Sequence, residues 1–370
     1  MKQLDSRKSL AIIVELSSEE PRFPRFQRYR PSELTPWAVM HVVDRVVGRQ
    51  MLLGDEEKEF FRVLMRKISR FSGVEVITWA CLGNHYHLLL RVPNELEAAH
   101  LRAEISEEAL LERMKMAFSA EFIEETQRRV GQFRREGKPE MAESILRRLR
   151  EQMFDVSAFM HMLKRRFSAS YNKKHGRKGT LWESRFRSVL VEDEQSVVLK
   201  MAAYIDLNAV RAGIVKDPKD YRWCGYAEAV AGKEEAREGI LSVVRGSSED
   251  QAVGWEEAAA AYRDWLYDAG CEVRDGEGKI TRKGITAEEV DAVRASGGRL
   301  SAKQLLHCKV RYFTDGVAIG SRAFVESVFE LYRYRFGAKR STGARPLRWG
   351  EWDGLCALRD LQREVIKGSG

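Results

Sequence analysis

The sequence predicts an α+β fold, a ferredoxin-like split βαβ sandwich with a four-stranded antiparallel sheet, and three observations predict it. Runs rich in β-branched or alternating residues recur at 38–47, 74–82, 86–92 and 187–192. Two amphipathic stretches of helical period, 55–72 and 156–174, fall after the first and third of these runs. A further helical stretch, 194–212, follows the fourth. Strand, helix, strand, strand, helix, strand is the order that packs two helices on one antiparallel sheet.

Each element has its own warrant. The run Ala38-Val-Met-His-Val-Val-Asp-Arg-Val-Val47 is too β-branched to favour a helix. Phe60, Phe61, Leu64, Ile68 and Phe71 form the apolar stripe of the first helix. The short Gly83-Asn84 turn joins the second and third strands. Phe159, Met162, Leu163, Phe167 and Tyr171 form the stripe of the second helix.

Around this unit, 37–230, the chain is expected to carry three additions. Residues 1–36 are an N-terminal extension whose Pro- and Arg-rich part, Pro21 to Pro36, is too interrupted for a helix. Residues 95–150 turn to Glu, Arg, Ala and Met, and read as one or two long charged helices inserted as a solvated hairpin or oligomer contact. Residues 231–370 are helical in composition, with an amphipathic stretch from Trp255 to Asp268. Within them, Arg311 to Val325 is a candidate helix-turn-helix-like, DNA-binding element, with Gly316 and Gly320 in turns and Arg322 and Arg333 to Arg340 supplying charge.

Composition narrows the partners. Lys and Arg total 63 against 55 Asp and Glu, a formal charge of +8, which favours a polyanion: nucleic acid first, membrane surface second. With 44% apolar residues the chain can build a sizeable core. Cys81, Cys224, Cys271, Cys308 and Cys356 are scattered without a CxxC pair, which argues against a zinc ribbon or a disulfide framework. No leader-like stretch opens the sequence and no run is long enough to span a bilayer, so a cytoplasmic setting is expected.

Three segments carry chemistry. In Asn84-His85-Tyr86-His87, alternation puts both histidines on one face of a strand, where two imidazoles can share a divalent metal or simply occupy a polar sheet face. In Tyr204-Ile-Asp-Leu-Asn208, Tyr and Asn share a helix face. If that face covers the histidines, Tyr204 lies beside the metal and Asn208 offers an oxygen; otherwise Tyr204 is a core residue and Asn208 a helix-end residue. The third segment interleaves Lys164, Arg165, Arg166, Lys173, Lys174, Arg177, Lys178, Arg185 and Arg187 with Trp182 and Phe186. Such a pattern suits gripping phosphates and stacking bases, or a plain solvated basic surface.

In this order the segments resemble the REP-associated tyrosine transposases, a branch of the single-tyrosine HUH (IS200-like) transposases. The resemblance runs through His41-Val-Val-Asp-Arg45, Leu82-Gly-Asn-His-Tyr-His-Leu-Leu89, Gly179-Thr-Leu-Trp-Glu-Ser-Arg-Phe-Arg187, Tyr204-Ile-Asp-Leu-Asn-Ala-Val-Arg-Ala-Gly213 and Tyr221-Arg-Trp-Cys-Gly-Tyr226. It implies a metal pair in His85 and His87, a nucleophile in Tyr204 and a third ligand in Asn208. Arg45 and the basic segment, with Trp182, would contact DNA. The family often has Pro after the Asn and before the Asn-His-Tyr-His run; Ala209 and Gly83 stand there, changes of backbone that leave the reactive groups intact.

The resemblance further implies a reaction and partners. Tyr204 would attack a phosphodiester of single-stranded DNA at hairpin-forming repeats, leaving a free 3′-OH and a 5′-phosphotyrosine. A second 3′-OH can reverse that bond and rejoin DNA without ATP. A divalent ion, Mg²⁺ or Mn²⁺, would polarise the phosphate, with Mn²⁺ better matched to imidazole. The protein would be nucleoid-associated when bound, and a monomer or a homodimer in which the Tyr204 helix completes the partner's site.

Three other readings compete. One is a domesticated, non-catalytic DNA-hairpin binder of the same fold. Another is an unrelated metal hydrolase, although the remaining histidines, His41, His100, His161, His175 and His307, lie in no motif with ligand spacing. A third is a helical adaptor, for which no motif speaks. No GxxxxGK[ST] loop is present for nucleotide hydrolysis.

Overall fold

A computed structural model describes residues 35–246, 253–266, 273–274, 280–282, 300–301, 306, 313–314, 316–347 and 350–359. Its first strand, β1 (Trp37–Arg45), is buried at every interior position. That requires apolar cover on both faces of the sheet, and the side chains divide accordingly. Ala38, Met40 and Val42 enter one core cluster, while Val39 enters the other.

The predicted order holds for the first part of the chain. Helix α1 (Asp55–Ser72) follows β1. It opens on Asp55, Glu56 and Glu57, acids suited to the positive end of a helix dipole, and closes on Gly73 at φ 67°. Phe61, Leu64, Ile68 and Phe71 are buried as expected, whereas Phe60 is 39% exposed. Strands β2 (Glu75–Cys81) and β3 (His85–Pro93) form a hairpin, and β3 also pairs antiparallel with β1. Helix α6 (Val156–Lys174) buries its five predicted apolar residues and leads to β4 (Arg187–Val191), antiparallel to β1.

The expected four-stranded sheet is corrected to a seven-stranded one, in the order β2-β3-β1-β4-β8-β11-β9. The added strands come from the region expected to be helical: β8 (Ala318–Gly320), β9 (Arg345–Pro346) and β11 (Cys356–Leu358). Strand β8 runs parallel to β4, with Leu190 N–H donating to the Val317 carbonyl at 2.8 Å. An open β4 edge would present unpaired backbone groups, and these short strands cover it. Two small pairs lie apart, β5 (Val273–Arg274) with β6 (Ile280–Arg282) and β7 (Leu300–Ser301) with β10 (Gly350–Glu351). Of the helix-turn-helix candidate, 313–314 and 316–325 lie among the described residues, and 311–312 and 315 lie outside them. Gly320 ends a strand, and α12 (Arg322–Leu331) follows it, capped by Ser321.

The insertion is four helices, α2 (Glu95–Glu104), α3 (Glu107–Ala117), α4 (Ala120–Arg135) and α5 (Pro139–Arg150). It is not a solvated hairpin. Leu110, Met114, Ile123, Val130, Leu146 and Leu149 are buried in the same cluster as Phe61 and Phe71. Each such side chain contributes about 1.5–3 kcal/mol of burial, so the insertion is part of the core.

On the opposite face lie α7 (Gln195–Asp206), α8 (Asn208–Arg211), α9 (Gly225–Val230), α10 (Glu234–Arg245) and α11 (Trp255–Leu266). Gly239 of α10 sits where a Cβ would meet the Ile77 carbonyl oxygen at 2.1 Å, so only glycine permits this approach to β2. Among the described residues no helix is long and apolar enough to cross a membrane.

Candidate active site

Strand alternation sends Tyr86 and Leu88 of β3 into the insertion-side core, and His85, His87 and Leu89 to the face covered by α7. The His85 and His87 rings stand edge to face with centroids 5.2 Å apart. Helix α7 brings the Tyr204 ring to 6.1 Å from His87. The helix breaks at Leu207, and Asn208 opens the next short turn. Its side chain there lies close enough to His85 to influence its protonation. Sequence reasoning predicted one continuous helix here; the break still leaves Tyr204 and Asn208 on the histidine side.

The end of α7 is held by Asp206, which is fully buried. Its carboxyl accepts from Tyr262 Oη at 2.6 Å, Thr78 Oγ1 at 2.9 Å and Tyr226 N at 3.0 Å. Burial pushes this acid up to about 6, against the lowering effect of those donors. Three elements thereby fix the segment that carries Tyr204.

Burial also sets the histidines. Burial and then the nearby Arg45 charge lower His85 to about 4, opposed by the Asn208 side chain. Burial drives His87 well below its ordinary value, helped by the repulsion a protonated His41 or His85 would exert and by the Arg211 and Arg45 charges. Both rings are therefore neutral near pH 7, the form that ligates metals. Two imidazoles and an amide oxygen fit a small divalent ion such as Mn²⁺ or Mg²⁺. Among the described residues no group of three or more His, Cys, Asp or Glu is arranged to hold a metal.

Four residues absent from the sequence reading of the site complete it. His41 is fully buried, with Nε2 2.9 Å from His87 Nδ1 and Nδ1 2.7 Å from the Phe313 carbonyl oxygen. Asn84 Oδ1 meets His85 Nδ1 at 2.6 Å. Arg211 places its guanidinium carbon 4.1 Å from the Tyr204 ring centre. Phe313 packs on the same ring at 4.8 Å, leaving Tyr204 6% exposed. A signal for His41 did exist: a polar ring inside an apolar strand needs a partner. Leu89 is its cross-strand neighbour, which makes His87 its diagonal one.

The basic segment divides. Arg45, Arg165, Lys173, Lys178, Arg185 and Arg187 are exposed. Lys164 is ion-paired with buried Asp44 and donates to the Ser184 carbonyl. Arg166 bonds the Ala117 carbonyl and lies over Phe118, and Lys174 pairs with Glu56 and Glu57. Arg177 lies 5.7 Å from the Tyr171 ring centre. Trp182, expected to stack on bases, is instead buried against Tyr86 and Phe167, because its indole fills the gap between α6 and β3.

No family model matches the sequence, and no curated protein matches it. Among solved structures the chain is similar to that of a REP-associated tyrosine transposase bound to a REP hairpin. The TM-score is 0.34 and the identity 16%, over 57% of this chain and 87% of that one.

Proposed function

We propose that the chain is a single-tyrosine DNA strand transferase of the REP-associated kind, acting on single-stranded DNA at hairpin-forming repeats. The observation that carries the reading is the convergence of Tyr204, His85, His87 and Asn208 on one sheet face. Their sequence segments are also those that resemble the family.

In this reading the Tyr204 oxygen attacks a backbone phosphorus. The new bond is a 5′-phosphotyrosine; the bond to the 3′ oxygen breaks, that oxygen takes up a proton, and the phenolic proton passes to solvent. A divalent ion bound by His85, His87 and Asn208 would supply positive charge that polarises the phosphate. Arg211, against the Tyr204 ring, and Arg45, whose charge reaches both histidines, add favourable potential for a phosphate and a developing phenolate. Asn84 and His41 hold the two rings in place.

The burial of Tyr204 beneath Phe313 favours a second reading, a non-catalytic hairpin binder of the same fold. One experiment separates them. Purified protein is incubated with hairpin-bearing single-stranded oligonucleotides and Mn²⁺ or Mg²⁺, then run on a denaturing gel. A covalent 5′ adduct lost in both Tyr204→Phe and His87→Ala is the expected result. Retarded migration on a native gel with no adduct under either metal would establish the binder.

A further inference from the structure

We infer that His41 is a positioning residue that sets the tautomer of His87, leaving the Nε2 of His87 as its unprotonated, metal-ready nitrogen. The argument starts from the Phe313 carbonyl oxygen, which can only accept a hydrogen bond. His41 Nδ1, 2.7 Å away, must therefore carry a proton. His41 is fully buried and, among the described residues, no carboxylate bonds it, so its ring is neutral and carries that one proton alone. Its Nε2 is then an acceptor, and the group it faces at 2.9 Å, His87 Nδ1, must be the donor. A neutral His87 protonated at Nδ1 has its lone pair at Nε2.

The relay has a counterpart on the other ring. Asn84 Nδ2 donates to the Arg49 carbonyl at 3.0 Å, which fixes Asn84 Oδ1 as the atom that accepts from His85 Nδ1. Both histidines are thus held at Nδ1. The His87 arm begins at a carbonyl 272 positions from His41 along the chain, so the C-terminal region reaches the candidate metal site through His41. Outer partners of this kind orient a ligand and are worth about 10- to 100-fold in metal affinity.

The assignment rests on the metal reading above, so its test needs a readout that does not. Histidine tautomers are read from long-range ¹H–¹⁵N correlations on the full, ¹⁵N-histidine-labelled chain without metal. His87 is expected to be protonated at Nδ1 in the native chain and to lose that state in His41→Phe. In His41→Gln, whose amide oxygen can accept from Nδ1–H, it should be kept; this variant also guards against misfolding of the first. In parallel, Mn²⁺ titration followed by electron paramagnetic resonance should show about 10- to 100-fold weaker binding for His41→Phe and recovery in His41→Gln. An Nε2-protonated His87 in the native chain, or a tautomer unmoved by His41→Phe, overturns the assignment. Mn²⁺ binding indifferent to His87→Ala, with the tautomers as expected, sinks the metal reading and leaves the His41 relay standing.

Discussion

Arg211 grips the residue it would assist: its guanidinium carbon lies 4.1 Å from the Tyr204 ring centre, while Nη2 donates to the Tyr204 carbonyl at 2.6 Å. Nη1 reaches the Leu306 carbonyl at 3.0 Å, so the cation is fixed by two backbone oxygens. A fixed positive charge beside an attacking phenol stabilises charge without reorganising during the reaction. Arg211→Ala should slow adduct formation by about 10- to 100-fold, equivalent to ~1.4–2.7 kcal/mol of barrier. Arg211→Lys should recover part of it, because charge returns without the planar fork. Single-turnover adduct kinetics on a denaturing gel measure both.

Phe313 covers the same tyrosine. Its ring is fully buried, 4.8 Å from Tyr204 and 5.5 Å from Trp352. Truncation should act in opposite directions on stability and access. Phe313→Ala should cost about 3–5 kcal/mol in denaturant unfolding, the usual range for a buried Phe. It should also open Tyr204 to nitration by tetranitromethane, with mass spectrometry of the Tyr204 peptide as the readout. Equal nitration in both proteins would show that Phe313 does not seal the site.

These contacts also explain what the sequence reveals and what it conceals. The pair His85 and His87 and the pair Tyr204 and Asn208 are local patterns, whose periods of two and about four put like groups on one face. The first four strands are legible for the same reason, being long enough to show β-branched character or alternation. Ala318-Ile-Gly320 and Cys356-Ala-Leu358 are too short to show either, and they become strands because β4 offers an edge. His41 and Phe313 meet through tertiary contact alone, which no spacing rule reports. The insertion misleads through its charge: its surface is rich in Glu and Arg, while its buried positions feed a shared core.

Trp182 and its basic neighbours should separate in function. The indole is packed against Tyr86 at 5.3 Å and Phe167 at 5.6 Å. Trp182→Ala is therefore expected to lose about 3–5 kcal/mol of stability. At temperatures where the variant is folded, its hairpin affinity should match the native protein. Arg185 and Arg187 are exposed, and replacing both with Ala should leave stability within about 0.5 kcal/mol, as for ordinary surface changes. If each neutralises one phosphate, the slope of log affinity against log salt should fall by roughly 0.7–0.9 per residue. Fluorescence anisotropy across a salt series checks this, and an affinity loss confined to Trp182→Ala would restore the indole as a base-stacking group.

Glu228 gives a test of how the two layers are tied across the sheet. This buried carboxylate of α9 accepts from Arg66 at 2.5 Å, Arg62 at 3.1 Å and Trp79 Nε1 at 2.8 Å, joining α9 to α1 and β2. Burial alone would raise its pKa, but the Arg66 bond and charge, then Trp79 and Arg62, bring it below the ordinary glutamate value. A depressed carboxylate stabilises the fold above its unfolded pKa, near 4.3–4.5, and that contribution is lost as pH falls through the lower folded value. Unfolding free energy should thus decline on acidification below about pH 5. Glu228→Gln should flatten that decline. At pH 7 it should cost about 3–5 kcal/mol, because the buried Arg66 guanidinium loses its nearest counter-charge and keeps only Glu235, 3.9 Å away. Urea unfolding of both proteins from pH 7 to pH 3 measures the two effects together. An unchanged acid slope in Glu228→Gln would move the acid sensitivity to Glu57 and Glu59, depressed carboxylates of α1.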